Sequence, residues 1–482
     1  MCQSEITDGT VARIIHSLPG SISMPAGAGK TEIVAAVSAS VADNGGTILI
    51  LTHTHAGVEA LRRRMSKFNV PQGQVSIRTI DAWCFDLIQH FPLLADYAVP
   101  GHPDWNDSQE YHRAAARAVI ATAVQRMLRI SYSLVIVDEY QDCLIDQHQV
   151  IIGIQQAVPT LVLGDPLQGL FDFQGQQPVE WGTDVLRVFP SVYLEPFPWR
   201  WHGHNEALGQ WLLAIREPLI RGMPVDLRGS PILWSRRPSD RQEAMLVQVA
   251  TCFNAPRNGS TVALGRFRND ILTPASRLRG TFSVMEALDS SYTQEFCTLV
   301  DSGGPFEVAQ RAVEFAVECT VGVAEHIPAQ ARRRLGEGQR IATRKADRKA
   351  AYDALNALLE SAAPQSVRKA MDAMLALPGV SLYCREAWHE VTQALQIAAP
   401  EEEEPVTTAL QLSRNRTRAM GRRPAPRTLS RPLLVKGLEY DHAILLNADE
   451  YNAHELYVAL TRASKSVTVI SSSPILNPVG KS

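Results

Sequence analysis

Short, almost wholly apolar runs alternate with helical patterns through the first third of the chain. These runs are Thr47–Leu51, Leu134–Val137 and Thr160–Leu163. Continuous apolar runs of this length are typical of strands that are buried on both faces of a parallel sheet. A second set of strand-like runs lies far downstream, at Thr261–Leu264, His442–Leu446 and Val467–Ser471. The pattern therefore predicts an α/β fold with two similar parallel sheets.

The amino-acid composition changes between Thr261–Leu264 and His442–Leu446. Residues 306–398 are rich in helix-forming Ala, Leu, Glu, Arg and Gln, with helical spacing in Ala350–Leu359 and Ala387–Ile397. We therefore predict an all-helical insert there. The stretch Pro400–Pro432 is rich in Pro, Arg and Glu, which predicts an exposed linker. A smaller helical insert is predicted for residues 86–130.

Composition narrows the class of protein. The 482 residues are enough for two to four domains, and 45% hydrophobic with 20% charged residues is ordinary globular composition. No apolar stretch approaches the roughly 20 residues that span a bilayer, and the N-terminus lacks the basic and apolar segments of a secretion signal. The seven cysteines are scattered and never spaced as CxxC, which disfavours disulfides or a zinc site. We expect a cytoplasmic protein without membrane attachment.

The charge of the chain limits how it could bind nucleic acid. A formal net charge of -3 excludes a protein that coats nucleic acid by bulk charge. Basic clusters occur at Arg62–Arg64, Arg332–Lys349 and Arg414–Arg427, the last partly offset by the acidic run Glu401–Glu404. Each cluster could form a local nucleic-acid groove or a solvated helix face. Both interpretations stay open from the sequence.

A phosphate-binding loop is predicted near the N-terminus, at Gly27-Ala28-Gly29-Lys30-Thr31, just before a predicted helix. Successive backbone amides in such a loop cradle phosphate oxygens, and the helix dipole favours their negative charge. Lys30 would reach the outer phosphates and Thr31 would offer its hydroxyl to Mg²⁺, while the two glycines let the backbone approach closely. Met24 stands where the strict GxxxxGK pattern has glycine.

A matching acidic pair follows one of the buried strands. Asp138 and Glu139 stand at the end of the run Leu134–Val137. In a nucleotide hydrolase, Asp138 would hold Mg²⁺ and Glu139 would polarise the attacking water. The loop and the acidic pair together predict ATP hydrolysis, with ATP and Mg²⁺ as cofactors.

The wider motifs resemble the UvrD/Rep/PcrA branch of the superfamily 1 DNA helicases, in a compact form. The segments that carry this resemblance are Thr52–Gly57, Thr79–Trp83, Asp138–Asp142, Leu163–Phe171, Pro198–Arg200, Lys436–Asp441 and Leu456–Ala463. Such a resemblance implies two RecA-like parallel-sheet motor domains. The first would comprise residues 1–85 and 131–200, with residues 86–130 as a small helical insert. The second would comprise residues 201–290 and 430–482, with residues 291–429 as a helical insert and basic, proline-rich linker.

The resemblance also assigns roles around the nucleotide. Gln168 would sense the γ-phosphate, and Arg200 and Arg462 would approach that phosphate as arginine fingers. Positive charge around the transferring phosphoryl oxygens is a main source of catalysis in this chemistry. Trp199 would stack on the adenine, although it could equally be a core aromatic. Glu439 would accept a hydrogen bond from the ribose.

Binding of single-stranded DNA needs aromatic faces on which bases stack and polar groups along the phosphates. Phe173 falls where the resembled family places a stacking aromatic, but Phe171 is nearby and one of the two must belong to the core. Thr54, His55 and Thr79 would contact DNA phosphates from the first domain. For the two threonines the alternative is that their hydroxyls satisfy local turns.

Several features of the resembled family are missing. His55-Ala56 stands where the family has an asparagine-lysine pair, and Leu433 stands where it has a histidine. No clear glutamine motif precedes the phosphate loop. The DNA contacts must therefore differ from those of the family, and selectivity for adenine is not predicted.

Three functions are compatible with these motifs, and they come from different classes. The first is an ATP-dependent translocase or helicase on single-stranded or end-containing DNA. The second is a DNA-responsive ATPase subunit that regulates a partner nuclease, because a compact chain without a nuclease domain also resembles the helicase-like subunits of bacterial anti-phage systems such as Gabija. The third is a degenerate scaffold. The intact set Lys30, Glu139, Gln168, Arg200 and Arg462 argues against it.

Overall fold

The computed structural model describes residues 6–101, 103, 105–170, 177–285, 291–398, 404–420 and 425–478. The chain divides into two compact units. The first comprises Met1–Met223 and Ala453–Thr461, and the second comprises Pro224–Asn452 and Arg462–Ser482. A short segment near the end of the chain therefore completes the first unit.

The first unit is built on a sheet of five parallel strands. These strands are β1 Gly20–Ser23, β2 Ile48–Thr52, β3 Val75–Thr79, β4 Leu134–Val137 and β5 Thr160–Gly164. Their order across the sheet is β1-β5-β4-β2-β3. Every residue of β2, β4 and β5 is buried, as their continuous apolar runs predict.

Helices cover both faces of this first sheet. They are α1 Asp8–His16, α2 Lys30–Asp43, α3 His55–Lys67, α4 Ile80–His90, α5 Pro92–Ala95, α6 Ser108–Val119, α7 Thr122–Ser131, α8 Ile145–Gln155, α9 Leu186–Val188, α10 Glu206–Ala214 and α11 Arg216–Ile220. Successive side chains of a strand point to opposite faces. Ile48 and Ile50 accordingly enter one apolar cluster and Leu49 and Leu51 the other.

The second unit contains a six-stranded parallel sheet. The strands of this unit are β6 Val225–Asp226, β7 Leu233–Arg236, β8 Thr261–Leu264, β9 Ser283–Val284, β10 Thr320–Val321, β11 Ser381–Leu382, β12 Arg427–Ser430, β13 Tyr440–Leu445, β14 Ala463–Ser471 and β15 Ile475–Leu476. The large sheet has the order β7-β14-β13-β8-β12-β9. The predicted α/β fold with two RecA-like parallel sheets is therefore confirmed.

The helices of the second unit lie mostly between β9 and β12. They are α12 Arg241–Phe253, α13 Arg268–Arg277, α14 Ser291–Ser302, α15 Pro305–Cys319, α16 Val323–His326, α17 Ala329–Gly336, α18 Ala346–Leu358, α19 Pro364–Leu375, α20 Arg385–Ile397 and α21 Val406–Met420. The last helix of the chain, α22 Ala453–Leu460, belongs to the first unit. Residues 306–398 consist mainly of helices joined by turns, with the two-residue strands β10 and β11 among them.

The prediction of an exposed linker over residues 400–432 is wrong for the part that the structure describes. α21 is a helix with Val406, Ala409 and Leu410 buried, and β12 is an inner strand of the sheet. The apolar residues of α21 recur at spacings of three and four, which holds one helix face in the core. The Asp301 carboxylate accepts hydrogen bonds from the first backbone amides of this helix, at 2.7 and 2.9 Å. The linker prediction relied on the proline and charge content of the stretch, which does not show this helical spacing.

The first compact unit includes two helices that lie beyond the predicted first motor domain. α10 and α11, which the sequence assigns to the second motor domain, lie in the first unit. The finer division into motor domains and inserts stays a prediction. Within the described ranges, no helix combines the length and apolarity that a membrane crossing requires. The cysteines in those ranges are buried free thiols, at positions 84, 143, 252, 297, 319 and 384.

Candidate functional site

Three predicted segments meet at the carboxyl ends of neighbouring strands in the first sheet. The phosphate loop follows β1, the pair Asp138 and Glu139 follows β4, and the segment Asp165–Gln168 follows β5, which lies between them. Parallel strands all end at one edge of a sheet, where ligands of open α/β sheets bind. The fold therefore gathers these segments into one candidate site.

The backbone of the phosphate loop requires glycine at two positions. Gly27 and Gly29 have φ angles of +68° and +94°, a region that side chains other than glycine rarely occupy. Space is also limited. A Cβ atom on Gly27 would lie 2.8 Å from the Arg200 Cβ, and one on Gly29 would lie 3.1 Å from the Trp199 ring. The loop thus leads into α2, whose first residue is Lys30, with the backbone closely covered by residues 199–201.

Lys30 lies close to the acidic pair Asp138 and Glu139, and the group carries more negative than positive charge. The Lys30 side chain is buried, and its Nζ lies 3.9 Å from Glu139 Oε1. Burial, followed by the negative charge of Glu139, raises the pKa of Asp138 to about 7. Such a shift shows a carboxylate whose charge is incompletely balanced. A divalent cation would supply the missing positive charge, because Mg²⁺ is bound by one or two carboxylates plus phosphate oxygens.

Glu139 also has an unusual backbone conformation. Glu139 has a φ angle of +56°, and non-glycine residues in this region cluster at functional sites. Its backbone amide donates a 2.9 Å hydrogen bond to Asp138 Oδ1, and its Oε2 accepts a 2.6 Å bond from the amide of Gln141. Thr31, in the first turn of α2, is half-buried. Asp138 and Thr31 are thus available in this region to hold a cation.

Asp165 has several partners in the site, although the sequence did not assign it a role. Its carboxylate is fully buried and lies 2.6 Å from Arg216 Nη1. It also accepts hydrogen bonds from Ala26 N at 3.0 Å, Gln168 Nε2 at 2.9 Å and Leu167 N at 3.2 Å. Asp165 therefore links the phosphate loop to the predicted γ-phosphate sensor.

Tyr457 joins the same group from α22. Its hydroxyl accepts hydrogen bonds from Ala26 N at 3.2 Å and from Arg216 Nη1 at 3.1 Å. Burial raises the pKa of Tyr457, so the phenol stays neutral. Asp165 and Tyr457 lie inside segments that carry the resemblance, which was the available signal. Arg216 lies in no motif and could not have been found from the sequence.

Trp199 and Arg200 lie beside the phosphate loop. The backbone amide of Arg200 donates to Gly27 O at 3.1 Å, and its Nη1 donates to Thr461 O at 2.6 Å. The half-buried Trp199 ring packs against Phe197, with ring centroids 4.4 Å apart. Both predicted residues thus reach the site, and their roles toward a nucleotide stay predictions.

Two predicted site residues belong to the second unit. Arg462 is buried, and its Nη1 donates a 3.2 Å hydrogen bond to Leu438 O. Glu439, the next residue after Leu438, is exposed. The guanidinium of Arg462 therefore lies beside the backbone that carries Glu439, and the roles of both residues stay predictions.

The predicted DNA-contacting residues have mixed placements. Thr54 and Thr79 each cap a helix, because their hydroxyls accept hydrogen bonds from backbone amides three residues ahead, at 3.0 and 3.2 Å. The local role that the sequence left open for these two hydroxyls is thus realised. His55 is exposed at the start of α3. Phe173 lies outside the described residues. Contacts of these residues with DNA stay predictions.

Comparison with known proteins finds a family match within the first unit. Residues 8–174, about a third of the chain, match the family model of the AAA domain. No curated protein sequence matches the chain. A solved structure that is similar is that of the Pif1 helicase from Candida albicans, with 12% sequence identity and a TM-score of 0.33. The similarity covers 59% of this chain and 55% of that one, so the chain spans about half of that helicase.

Proposed function

We propose that the chain is an ATP-dependent translocase or helicase on single-stranded DNA. The observation that carries the proposal is the grouping of Lys30 with Asp138 and Glu139 at the carboxyl edge of the first sheet. The AAA-domain similarity of residues 8–174 supports nucleotide binding at the same place.

In this proposal the residues of the first unit bind and position the triphosphate. The backbone of the loop cradles phosphate oxygens and Lys30 reaches the outer ones. Thr31 and Asp138 would hold Mg²⁺, which supplies positive charge to the phosphate oxygens when bound. Glu139 is the group that accepts a proton from the attacking water. The raised pKa of Asp138 supports this assignment, because it marks a carboxylate that lacks positive charge.

The remaining residues of the proposed site recognise the γ-phosphate and the nucleoside. Gln168 and Arg200 respond to the γ-phosphate, and their positions beside the phosphate loop support these roles. Trp199 stacks on the base. The roles of Arg462 as a further cation and of Glu439 as a ribose acceptor rest on the sequence motifs.

The proposed track is DNA, and this part of the proposal rests on the resemblance to the UvrD/Rep/PcrA branch. Thr54 and Thr79 stand at the carboxyl ends of β2 and β3, the edge at which the phosphate loop also lies. Of the basic residues nearby, Arg62 pairs with Glu59 and Arg64 with Glu32. Much of this positive charge is therefore balanced within the protein.

The first test measures ATP hydrolysis with and without single-stranded DNA. We expect DNA to accelerate turnover, and we expect Lys30→Ala and Glu139→Gln each to lower it by about 10²-fold or more. Lys369→Ala, which removes an exposed lysine of α19, is a matched control and should leave turnover unchanged. Normal hydrolysis in the Lys30 and Glu139 variants would reject the site assignment.

A second assay separates the translocase from a regulator of a nuclease. Displacement of an annealed strand by the purified chain supports the translocase or helicase. ATP turnover that responds to DNA ends, without displacement and with tight co-purification of a nuclease, would instead support the DNA-responsive ATPase subunit of an anti-phage system.

A further inference from the structure

Arg216, Tyr457 and Asp165 form a buried group, here named the Asp165 clamp, that touches both the phosphate loop and Gln168. Oδ2 of Asp165 accepts from the Ala26 amide and from Gln168 Nε2, while Oδ1 lies 2.6 Å from Arg216 Nη1. We propose that Arg216 and Tyr457 are positioning residues that set the orientation of Gln168 relative to the phosphate loop. The inference rests on the proposed function and names a control element of the same site.

Charge and burial explain why the clamp is rigid. The Asp165 side chain has no exposed surface and that of Arg216 is 14% exposed. A buried carboxylate is tolerated only when it is paired and fully hydrogen-bonded. The arginine therefore anchors one oxygen of Asp165, which leaves the other oxygen in a fixed direction. That second oxygen is the one that holds Gln168 and Ala26.

Gln168 and the Ala26 amide are coupled because both donate to the same oxygen, Asp165 Oδ2. A primary amide has two N–H groups, and Gln168 directs one of them to Asp165 Oδ2. A rotation of the Asp165 carboxylate would move Gln168 and the Ala26 amide together. Since Gln168 is the proposed γ-phosphate sensor, loss of the anchor should weaken discrimination between a triphosphate and a diphosphate more than it weakens binding of the diphosphate.

Tyr457 provides the second support of the same loop amide. Its hydroxyl lies 3.2 Å from Ala26 N and 3.1 Å from Arg216 Nη1, and the Arg216 guanidinium lies over its ring at 5.5 Å from the centroid. The hydroxyl therefore bridges the loop amide and the anchoring arginine. Removing it with Tyr457→Phe keeps the ring and its packing, which makes this variant a mild probe.

The test measures equilibrium binding of ADP and of the non-hydrolysable ATP analogue AMP-PNP to the full-length chain. For Arg216→Met we expect the preference for AMP-PNP over ADP to fall by about 5- to 10-fold, the size of one ordinary hydrogen bond that is lost or misdirected. Tyr457→Phe should lower the preference by about 2-fold, and Arg216→Lys should restore part of it. Arg221→Met, which removes an exposed arginine just beyond α11, is the matched control and should keep the wild-type ratio.

A double-mutant cycle shows whether the effect passes through Gln168. In a Gln168→Ala background, Arg216→Met should change the ratio no further, because residues that act as one unit are not additive. A full extra effect in that background, or an unchanged ratio in Arg216→Met with a lowered Tm, would show a purely structural role and overturn the inference. If Arg216→Met does not fold, Tyr457→Phe and Arg216→Lys decide by the same ratio. Failure of the wild-type chain to bind either nucleotide would instead reject the proposed function.

Discussion

β4 and β13 lie in different large sheets, and each is followed by the sequence Asp-Glu-Tyr. The two acidic segments differ in how far nearby cations and hydrogen-bond donors balance their negative charge. β4 leads into Asp138-Glu139-Tyr140, and β13 leads through Asn447-Ala448 into Asp449-Glu450-Tyr451. Each turn contains a non-glycine residue in the left-handed region, Glu139 at φ +56° and Asn447 at φ +50°. Each of these residues precedes a one-turn 3₁₀ helix, Tyr140–Asp142 or Ala448–Glu450. The first acidic pair lies before its turn and the second lies within its turn, and the two pairs also differ in their partners.

After β13, the acidic side chains have hydrogen-bond donors and a cation close to them. Asp449 accepts hydrogen bonds from the backbone amide of Ser472 at 2.9 Å and from its hydroxyl at 2.8 Å, and Arg237 Nε lies 3.5 Å from it. Arg237 Nη1 also lies 3.4 Å from Glu450 Oε1. Compensation is incomplete at Glu450, where burial raises the pKa.

In the first sheet the ion pair between Lys30 and Glu139 is longer, at 3.9 Å, and the pKa of Asp138 rises to about 7. A shared fold therefore does not mark a functional site, and the larger rise in the pKa of Asp138 favours the first sheet as the candidate site.

The largest expected difference concerns turnover. Glu139→Gln should lower the rate of ATP hydrolysis by about 10²- to 10⁴-fold, the usual contribution of a general base. The matched change in the second sheet, Glu450→Gln, should leave the rate within about 2-fold of wild type, since general-base loss is not involved. Steady-state phosphate release measures both. Comparable losses in the two variants would break the comparison.

Stability should respond with opposite signs at the two aspartates. Asp138→Asn removes a charge that the folded protein disfavours, and we expect a gain of about 2 kcal/mol in the free energy of unfolding of the metal-free protein at pH 8. Asp449→Asn removes an acceptor and an ion-pair partner, and we expect a loss of about 1–2 kcal/mol.

Urea denaturation in the presence of a chelator measures both values. A wild-type sample under the same conditions is the reference. Two losses of similar size would show that Asp138 is as well compensated as Asp449.

The smallest effect lies at the opposite end of β13. Pairing with Lys465 Nζ at 2.7 Å, together with hydrogen bonds from Ser260, lowers the pKa of Asp441 to about 2. The folded pKa lies below the unfolded one, so the carboxylate stabilises the protein above about pH 4 and loses this effect as the pH falls toward 2.

Asp441→Asn should therefore cost about 1 kcal/mol at pH 7 after allowance for solvent screening. The difference from wild type should shrink as the pH is lowered from 5 to 3. A difference that stays constant over this range would reject the ion pair as its source.

The elements that could be predicted are those whose burial leaves a pattern in consecutive residues. The strands β2, β4, β5, β8 and β13 were found within a few residues, because burial on both faces leaves a continuous apolar run in the sequence. α21 was missed, since its three buried apolar residues are diluted by charged ones.

The candidate site divides in the same way. Lys30, Asp138 and Glu139 could be proposed from the sequence because the predicted chemistry needs fixed residue types next to a strand end, and their roles stay predictions. Arg216 was missed because its partner Asp165 lies 51 positions earlier in the chain, and only tertiary structure brings them together. A sequence motif records a local geometry, and a buried ion pair between distant segments leaves no such record.

The origin of α22 has a consequence for how the protein is made. Synthesis proceeds from the N-terminus, and domains generally fold as units during it. Yet Tyr457, a hydrogen-bond partner of the Ala26 amide, lies in a segment that leaves the ribosome only after the whole second unit up to Asn452 has been synthesised. A nascent chain therefore holds the Ala26 amide without Tyr457 for most of its translation, and premature termination before residue 453 would yield a first unit that lacks this hydrogen bond.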